Sequence, residues 1–332
     1  ILPIITAFSL LCAKGLTTDE CLVDFMAIST PPQLPFSPSR ILQLHEGYLA
    51  IGQDGQLLQL DQNLSYSDNP VNPFPISIEQ ACIVGNNLVA TWLDAELMLA
   101  RMASIDLNNK LVEGPSKADL RVQKSLKTAL HPAGNTWSRV LDSQPLALAS
   151  DGKRIAFVLW NKGIYCLNED SSEIWRSPYP VWEMVSKLPR SDETICMSFN
   201  DSEIHIWCAA GGRLVLNADD GTVVRSEKVD IDAAVENIFH NELHELVCSN
   251  NGEAFHLVDT ILRMQTDITG PIQFAAWDSD SNAWRICGWR KEVLLLDRPT
   301  TCDHSEIPIH CLKVEGEWWN LFNDGNWKLS NL

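Results

Sequence analysis

"YLAIGQDGQLLQLDQNL", Tyr48 to Leu64, and "ELVCSNNGEAFHLVDTIL", Glu245 to Leu262, decide the fold. Each places two apolar runs on either side of a tight turn, Gln53-Asp54-Gly55 in the first and Asn251-Gly252 in the second. Asp-Gly and Asn-Gly pairs accept the positive φ that a two-residue hairpin turn needs to match the twist of its strands. The same hairpin near both ends of a chain points to a repeat, so the intervening sequence has to be read in the same register.

Five further hairpins emerge. "NLVATWLDAELMLARM" (Asn87–Met102) turns near Asp94-Ala95, "RIAFVLWNKGIYCLNED" (Arg154–Asp170) at Asn161 to Gly163, and "EIHIWCAAGGRLVLNADDG" (Glu203–Gly221) at Gly211-Gly212. "WRICGWRKEVLLLD" (Trp284–Asp297) turns near Arg290-Lys291 and "EWWNLFNDGNWKLSNL" (Glu317–Leu332) at Asp324-Gly325. The seven turns, at 55, 95, 163, 212, 252, 291 and 325, lie 40, 68, 49, 40, 39 and 34 residues apart. A second polar turn precedes each hairpin and itself follows a short apolar run, as in "ILQLHEG" (Ile41–Gly47). Each unit therefore reads strand, turn, strand, turn, strand, and a variable fourth strand.

Seven such units at about 40-residue spacing predict an all-β, seven-bladed β-propeller of four-stranded antiparallel blades. One small sheet cannot bury both of its faces, whereas a ring of sheets covers each face with a neighbour. The repeats resemble WD40-like and PQQ-like units: "IQFAAWDSDSNAWRICGWRKEVLLLD" (Ile272–Asp297) is similar to the former and "RLVLNADDGTVV" (Arg213–Val224) to the latter. The Gly-His and third-strand Trp-Asp signatures of WD40 repeats are absent, so the resemblance is one of architecture.

Within this frame residues 31–332 are the propeller and residues 1–30 an N-terminal segment that closes the ring. The seventh unit stops after its third strand, and "CLVDFMAIS" (Cys21–Ser29) is the candidate for the missing fourth. Ile1 to Ala13 is apolar but too short to span a bilayer. It has no basic stretch before it and is expected to pack as a strand or helix rather than serve as a targeting signal. The 68-residue gap holds a helical insertion, placed after blade 2 at about residues 105–145.

The 332 residues carry 25 Lys+Arg against 43 Asp+Glu, a net charge of -18. Such a surface repels phosphate backbones and anionic lipid, so neither nucleic acid nor membrane is an expected partner. None of the ten cysteines forms a C-x-x-C pair. Cys166, Cys208, Cys248 and Cys287 sit in apolar runs where a thiol behaves as a small hydrophobe. A reducing, cytoplasmic setting is the expectation. The alternative is a secreted or periplasmic protein, which requires a signal peptide upstream of Ile1.

Motifs for chemistry are sparse. "HNELHE" (His240–Glu245) gathers two histidines and two carboxylates, but it lacks the H-E-x-x-H order and falls on a predicted turn, so no metal is expected. "DSDSN" (Asp278–Asn282) begins like a calcium loop but has Ala283 and Trp289 where Gly and Glu are needed, and reads as a turn. The tryptophans Trp92, Trp160, Trp207, Trp289 and Trp318 or Trp319, in or beside second strands, are expected to pack between blades. Trp137, Trp175 and Trp182 lie outside the hairpins and are candidates to face a partner.

In "PSKADLRVQKSLKTALHPAGNTW" (Pro115–Trp137), Ser116 and Asp119 are placed to cap a helix that Pro132 ends. A helical wheel gathers Lys117, Arg121 and Lys124 on one face, with Lys127 at its edge, opposite Val122, Leu126, Ala129 and Leu130. From Lys117 to Arg139 five basic residues face one acidic, a local charge of +4. That face suits an acidic protein partner.

The resemblance implies a non-catalytic scaffold for protein–protein contacts, acting as a monomer or as a subunit of a larger complex, without a cofactor. Fold alone does not fix function. The alternatives are a propeller enzyme with a central-channel site, lactonase-like or a quinoprotein, and an extracellular solute-binding propeller.

Overall fold

Both diagnostic hairpins form at the expected residues. Tyr48 to Ile51 pair with Leu60 to Leu57, and His244 to Cys248 with Val258 to Ala254. Gly55 and Gly252 supply positive φ, +87° and +94°. The computed structural model describes residues 30–123, 131–185 and 189–332. The propeller occupies Pro31–Leu332. The expected closing strand at Cys21–Ser29 lies outside the described residues.

Seven antiparallel sheets follow one another along the chain. Blade 1 holds β1 (Pro38–Gln43), β2 (Tyr48–Gly52) and β3 (Leu57–Leu60), and blade 2 holds β4 (Gln80–Val84), β5 (Asn87–Asp94), β6 (Leu99–Asp106) and β7 (Asn135–Leu141). Blade 3 holds β8 (Pro145–Ser150), β9 (Arg154–Leu159), β10 (Gly163–Asn168) and β11 (Glu173–Ser177). Blade 4 holds β12 (Thr194–Asn200), β13 (Glu203–Cys208), β14 (Gly212–Asn217) and β15 (Val223–Lys228). Blade 5 holds β16 (Val235–Asn241), β17 (His244–Ser249), β18 (Glu253–Val258) and β19 (Ile261–Asp267). Blade 6 holds β20 (Phe274–Asp278), β21 (Ala283–Gly288), β22 (Lys291–Leu295) and β23 (Thr300–Asp303). Blade 7 holds β24 (Pro308–Val314), β25 (Glu317–Phe322) and β26 (Trp327–Leu329). Beside β3, Val71 bridges Leu57 where a fourth strand of blade 1 would lie.

The first strands β1, β4, β8, β12, β16, β20 and β24 touch in succession, and β24 touches β1. Blades 7 and 1 thus meet through their first strands. At that seam Ile309, Leu312, Trp319, Leu321 and Trp327 of blade 7 pack on Leu34, Ile41, Ala50 and Leu58. The Leu34 N–H also donates to the Gly325 carbonyl at 2.9 Å. Elsewhere period-2 alternation sends successive side chains to opposite neighbours. In β13, Ile204, Ile206 and Cys208 pack with blade 3, whereas Trp207 packs with blade 5.

The insertion departs from its expected place. β7 pairs with β6, with Ala100 opposite Leu141 and Ser104 opposite Trp137, so the helix interrupts blade 2 between its third and fourth strands instead of following the blade. The capping box forms as read: Ser116 Oγ and N–H both bind Asp119 Oδ2, at 2.7 and 2.9 Å, and the helix runs Lys117–Gln123. Its orientation differs from the wheel reading. Leu120 is buried in the core between blades 1 and 2, while Val122 is 82% exposed. Lys117 and Arg121 both pair with Glu96, which turns the basic side toward blade 2.

A turn prediction follows from the two glycines. A Cβ on Gly252 would lie 2.2 Å from the Gly270 carbonyl oxygen, whereas one on Gly55 would meet nothing nearer than 3.2 Å. Gly252→Ala is expected to cost about 1–3 kcal/mol, seen as a lower urea midpoint, and Gly55→Ala less. Equal losses would show that φ alone, not the close approach, sets the cost.

Candidate functional site

The pleat that sends Ile204 and Ile206 to blade 3 turns Glu203 and His205 toward blade 5. On β17, Leu246 and Cys248 face blade 6, so Glu245 and Val247 face blade 4. His240, at the end of β16, is the cross-strand partner of Glu245. These parities bring His205, His240 and Glu245 together at one seam, with ligand-type atoms all within 4.8 Å of one another. His205 Nδ1 and His240 Nδ1 each lie 3.4 Å from Glu245 Oε1.

A lattice of ion pairs surrounds the three. Arg213 Nη1 donates to both Glu245 oxygens, at 2.9 and 2.8 Å, and its Nε and Nη2 donate to Glu227 Oε1 at 2.8 and 2.6 Å. Arg225 donates in a fork to Glu203 at 2.8 and 3.0 Å, and His205 Nε2 lies 3.2 Å from Glu203 Oε2. Burial opposes ionisation of Glu245, but the two imidazoles and the Arg213 charge outweigh it and hold its carboxyl far below the usual range. His205 and Glu245 are buried too deeply for a substrate to reach them.

A second polar seam joins blades 6 and 7. Arg285 donates to Asp278 Oδ2 at 2.9 Å, to Ser330 Oγ at 2.9 Å and to the Leu332 carbonyl at 2.8 Å. Ser330 Oγ in turn donates to Glu292 at 2.5 Å, and the guanidinium lies 4.9 Å above the Trp318 ring. The "DSDSN" stretch is the turn read from sequence, with Asp278 accepting the N–H groups of Asp280 and Ser281.

The sequence-predicted contact residues fall in several places. Trp175 and Trp182 are buried between blades 3 and 4, and the Trp175 indole N–H donates to the Ala218 carbonyl at 2.9 Å. The Trp137 indole N–H donates to the Glu169 carbonyl at 2.8 Å. Lys117 and Arg121 are exposed but share Glu96, and Lys124 and Lys127 lie outside the described residues. Trp92, Trp207 and Trp319 are buried between blades as expected, but Trp160 and Trp289 are not. Both sit in turns joining second to third strands and are 53% and 50% exposed.

Those turns share one face of the ring with the connections between blades. Met98, in the same turn of blade 2, is 88% exposed, and Val181 and Met184, between blades 3 and 4, are exposed as well. Next to Trp160 a groove of about 410 Å³ is lined by Leu146, Asn161, Tyr179, Arg190 and Asp192.

Comparison with solved structures agrees on the architecture. The fold is a seven-bladed β-propeller. The WD40 β-propeller domain of Doa1 is similar to this chain with TM-score 0.56 at 12% identity, covering 92% of this chain and 96% of the other. BamB from Moraxella catarrhalis gives TM-score 0.55 at 10% identity, covering 91% and 98%, and the computationally designed Ika8 protein 0.58 at 9%, covering 91% and 98%. At these identities the likeness shows the fold alone. No family model and no curated protein sequence matches the chain.

Proposed function

We propose that this propeller is a non-catalytic platform that binds a protein partner on the face carrying Met98, Trp160, Val181, Met184 and Trp289. The observation that carries this reading is the exposure of five large apolar side chains on one face, on turns held by rigid blades. A half-exposed tryptophan on a fixed turn can be buried by a partner with little loss of its own freedom, which is how interface hot spots arise. Lys117 and Arg121 stand beside the blade 2 turn that carries Met98 and suit acidic residues flanking the partner's apolar anchors. Against a channel enzyme stands the burial of the described histidine and carboxylate clusters within the seams. The buried thiols of Cys166, Cys208, Cys248, Cys287 and Cys311, free of disulfides among the described residues, support a reducing compartment such as the cytoplasm.

The test uses the partner as a purified protein, titrated against variants of the whole chain. Trp160→Ala with Met184→Ser is expected to weaken binding about 30-fold or more, the scale of losing one hot spot, with the melting temperature unchanged. Lys117→Glu with Arg121→Glu is expected to slow association and flatten its salt dependence. Unchanged affinity in the first variant would remove this face from the interface.

A further inference from the structure

The seam between blades 4 and 5 carries more than a packing contact. We infer that His205, His240 and Glu245 form a binding site for a divalent zinc-type cation that staples blade 4 to blade 5. Three observations lead there.

The first is an unmatched set of ring nitrogens. Among the described residues, His205 Nδ1 and both ring nitrogens of His240 have no hydrogen-bond partner. At 3.4 Å from Glu245 Oε1 the two Nδ1 atoms are close enough to interact but lie off the hydrogen-bonding direction. Buried nitrogens left unsatisfied are costly, and two of them aimed at one carboxylate oxygen mark a place for a cation.

The second is charge. Arg213 is matched by Glu227 on its Nε and Nη2 edge, and Arg225 by Glu203. Arg213 is shared between Glu227 and Glu245, so with neutral imidazoles the cluster carries a net charge of -1 from three glutamates and two arginines. A cation between the imidazoles and Oε1 would meet a site of net negative charge.

The third is geometry and support. Tetrahedral zinc with bonds of about 2.0–2.1 Å places its ligand atoms about 3.3–3.4 Å apart. The two nitrogen–oxygen separations of 3.4 Å fit that spacing, and all three ligand atoms lie within 4.8 Å of one another. Glu203 Oε2, 3.2 Å from His205 Nε2, accepts that N–H and leaves Nδ1 with its lone pair toward the site. A carboxylate behind a ligating histidine is the usual way its tautomer is fixed. An open pocket of about 660 Å³, lined by Ser202, Glu203, Glu242 and Leu243, lies on the face opposite the proposed docking turns and includes Glu203, the residue behind His205. Neither the site nor its test depends on the partner-binding reading.

The rival occupant is a proton, held as an imidazolium beside Glu245. Whole protein freed of metal by chelation is titrated with Zn²⁺ alone against a chromophoric chelator, and separately with Co²⁺. The expected result is one Zn²⁺ per chain, a rise in melting temperature on binding, and a Co²⁺ spectrum of nitrogen and oxygen ligands. His240→Ala should abolish binding, and Glu203→Gln should weaken it about 10–100-fold. No stoichiometric Zn²⁺, undiminished binding by His240→Ala, or thiolate charge-transfer bands with Co²⁺ would overturn the assignment. Should a variant fail to fold, imidazole ¹⁵N spectra of the unaltered protein decide. Zn²⁺ must shift His205 and His240, and shifts confined to other histidines refute the site.

Discussion

Arg285→Ala is expected to remove about 3–5 kcal/mol of folding free energy, the largest single-residue loss in the polar seams. The side chains of Arg285, Asp278 and Glu292 are 6%, 2% and 1% exposed, so removing the guanidinium strands two carboxylates away from water. Burial opposes ionisation of Asp278, but its hydrogen bonds from Arg285 and Ser281 and the adjacent positive charge hold it below the usual range. The same change frees Ser330 and Leu332, which Arg285 ties to blade 6. Denaturant unfolding measures the loss. Adding Glu292→Gln to Arg285→Ala should restore part of it, because the second change removes one stranded charge. A double variant no more stable than Arg285→Ala would show that Glu292 is not the source of the cost.

Acid should weaken the fold well before the carboxylates titrate. Burial pushes His310 down to about 3, and the ring stacks on Phe274 at 3.6 Å. Burial, with the charges of His244 and Arg263, pushes His256 down to about 4. A histidine with a depressed folded pKa leaves the unfolded chain holding more protons. Stability is therefore full above about pH 6.5 and falls as pH drops toward the folded value. At 1.36 kcal/mol per unit, His310 should cost about 3 kcal/mol between pH 6.5 and 4. Unfolding curves across that range should be steeper for the unaltered protein than for His310→Gln by about that amount. Parallel curves would mean that the folded protein accepts a proton on His310 as readily as the unfolded chain does.

The turns were legible because their chemistry is local. Gly55, Gly252 and Gly325 announce hairpins whatever surrounds them, and seven hairpins at regular spacing admit a ring. The position of the helical insertion was not legible. "NTWSRVL", Asn135 to Leu141, is the outermost described strand of blade 2 and is largely half-buried or exposed, so it lacks the apolar alternation that marks inner strands. The orientation of the helix escaped for a related reason. A wheel shows which residues share a side, but Leu120 and the pairs to Glu96 decide which side meets the protein.

The blade 4–5 cluster was half visible. "HNELHE" drew attention to His240 and Glu245, and the turn between them formed as read. His205 and Arg213 come from the preceding blade, and no spacing rule joins residues so distant in sequence. Strand parity holds the missing signal, since "EIHIW" alternates polar and apolar residues in a strand that should be buried on both faces. Exposure of Trp160 and Trp289 could not be read either, because it depends on how far each turn projects past the adjacent blade.

The platform reading is tested most directly by a photo-activated crosslinking side chain placed at position 160, and in a control at position 329 on the outer strand, in cells that make the protein. A defined protein adduct from position 160, lost when Met184 is changed to Ser and absent from position 329, is the predicted result. No adduct at 160, or the same adducts from both positions, would contradict it.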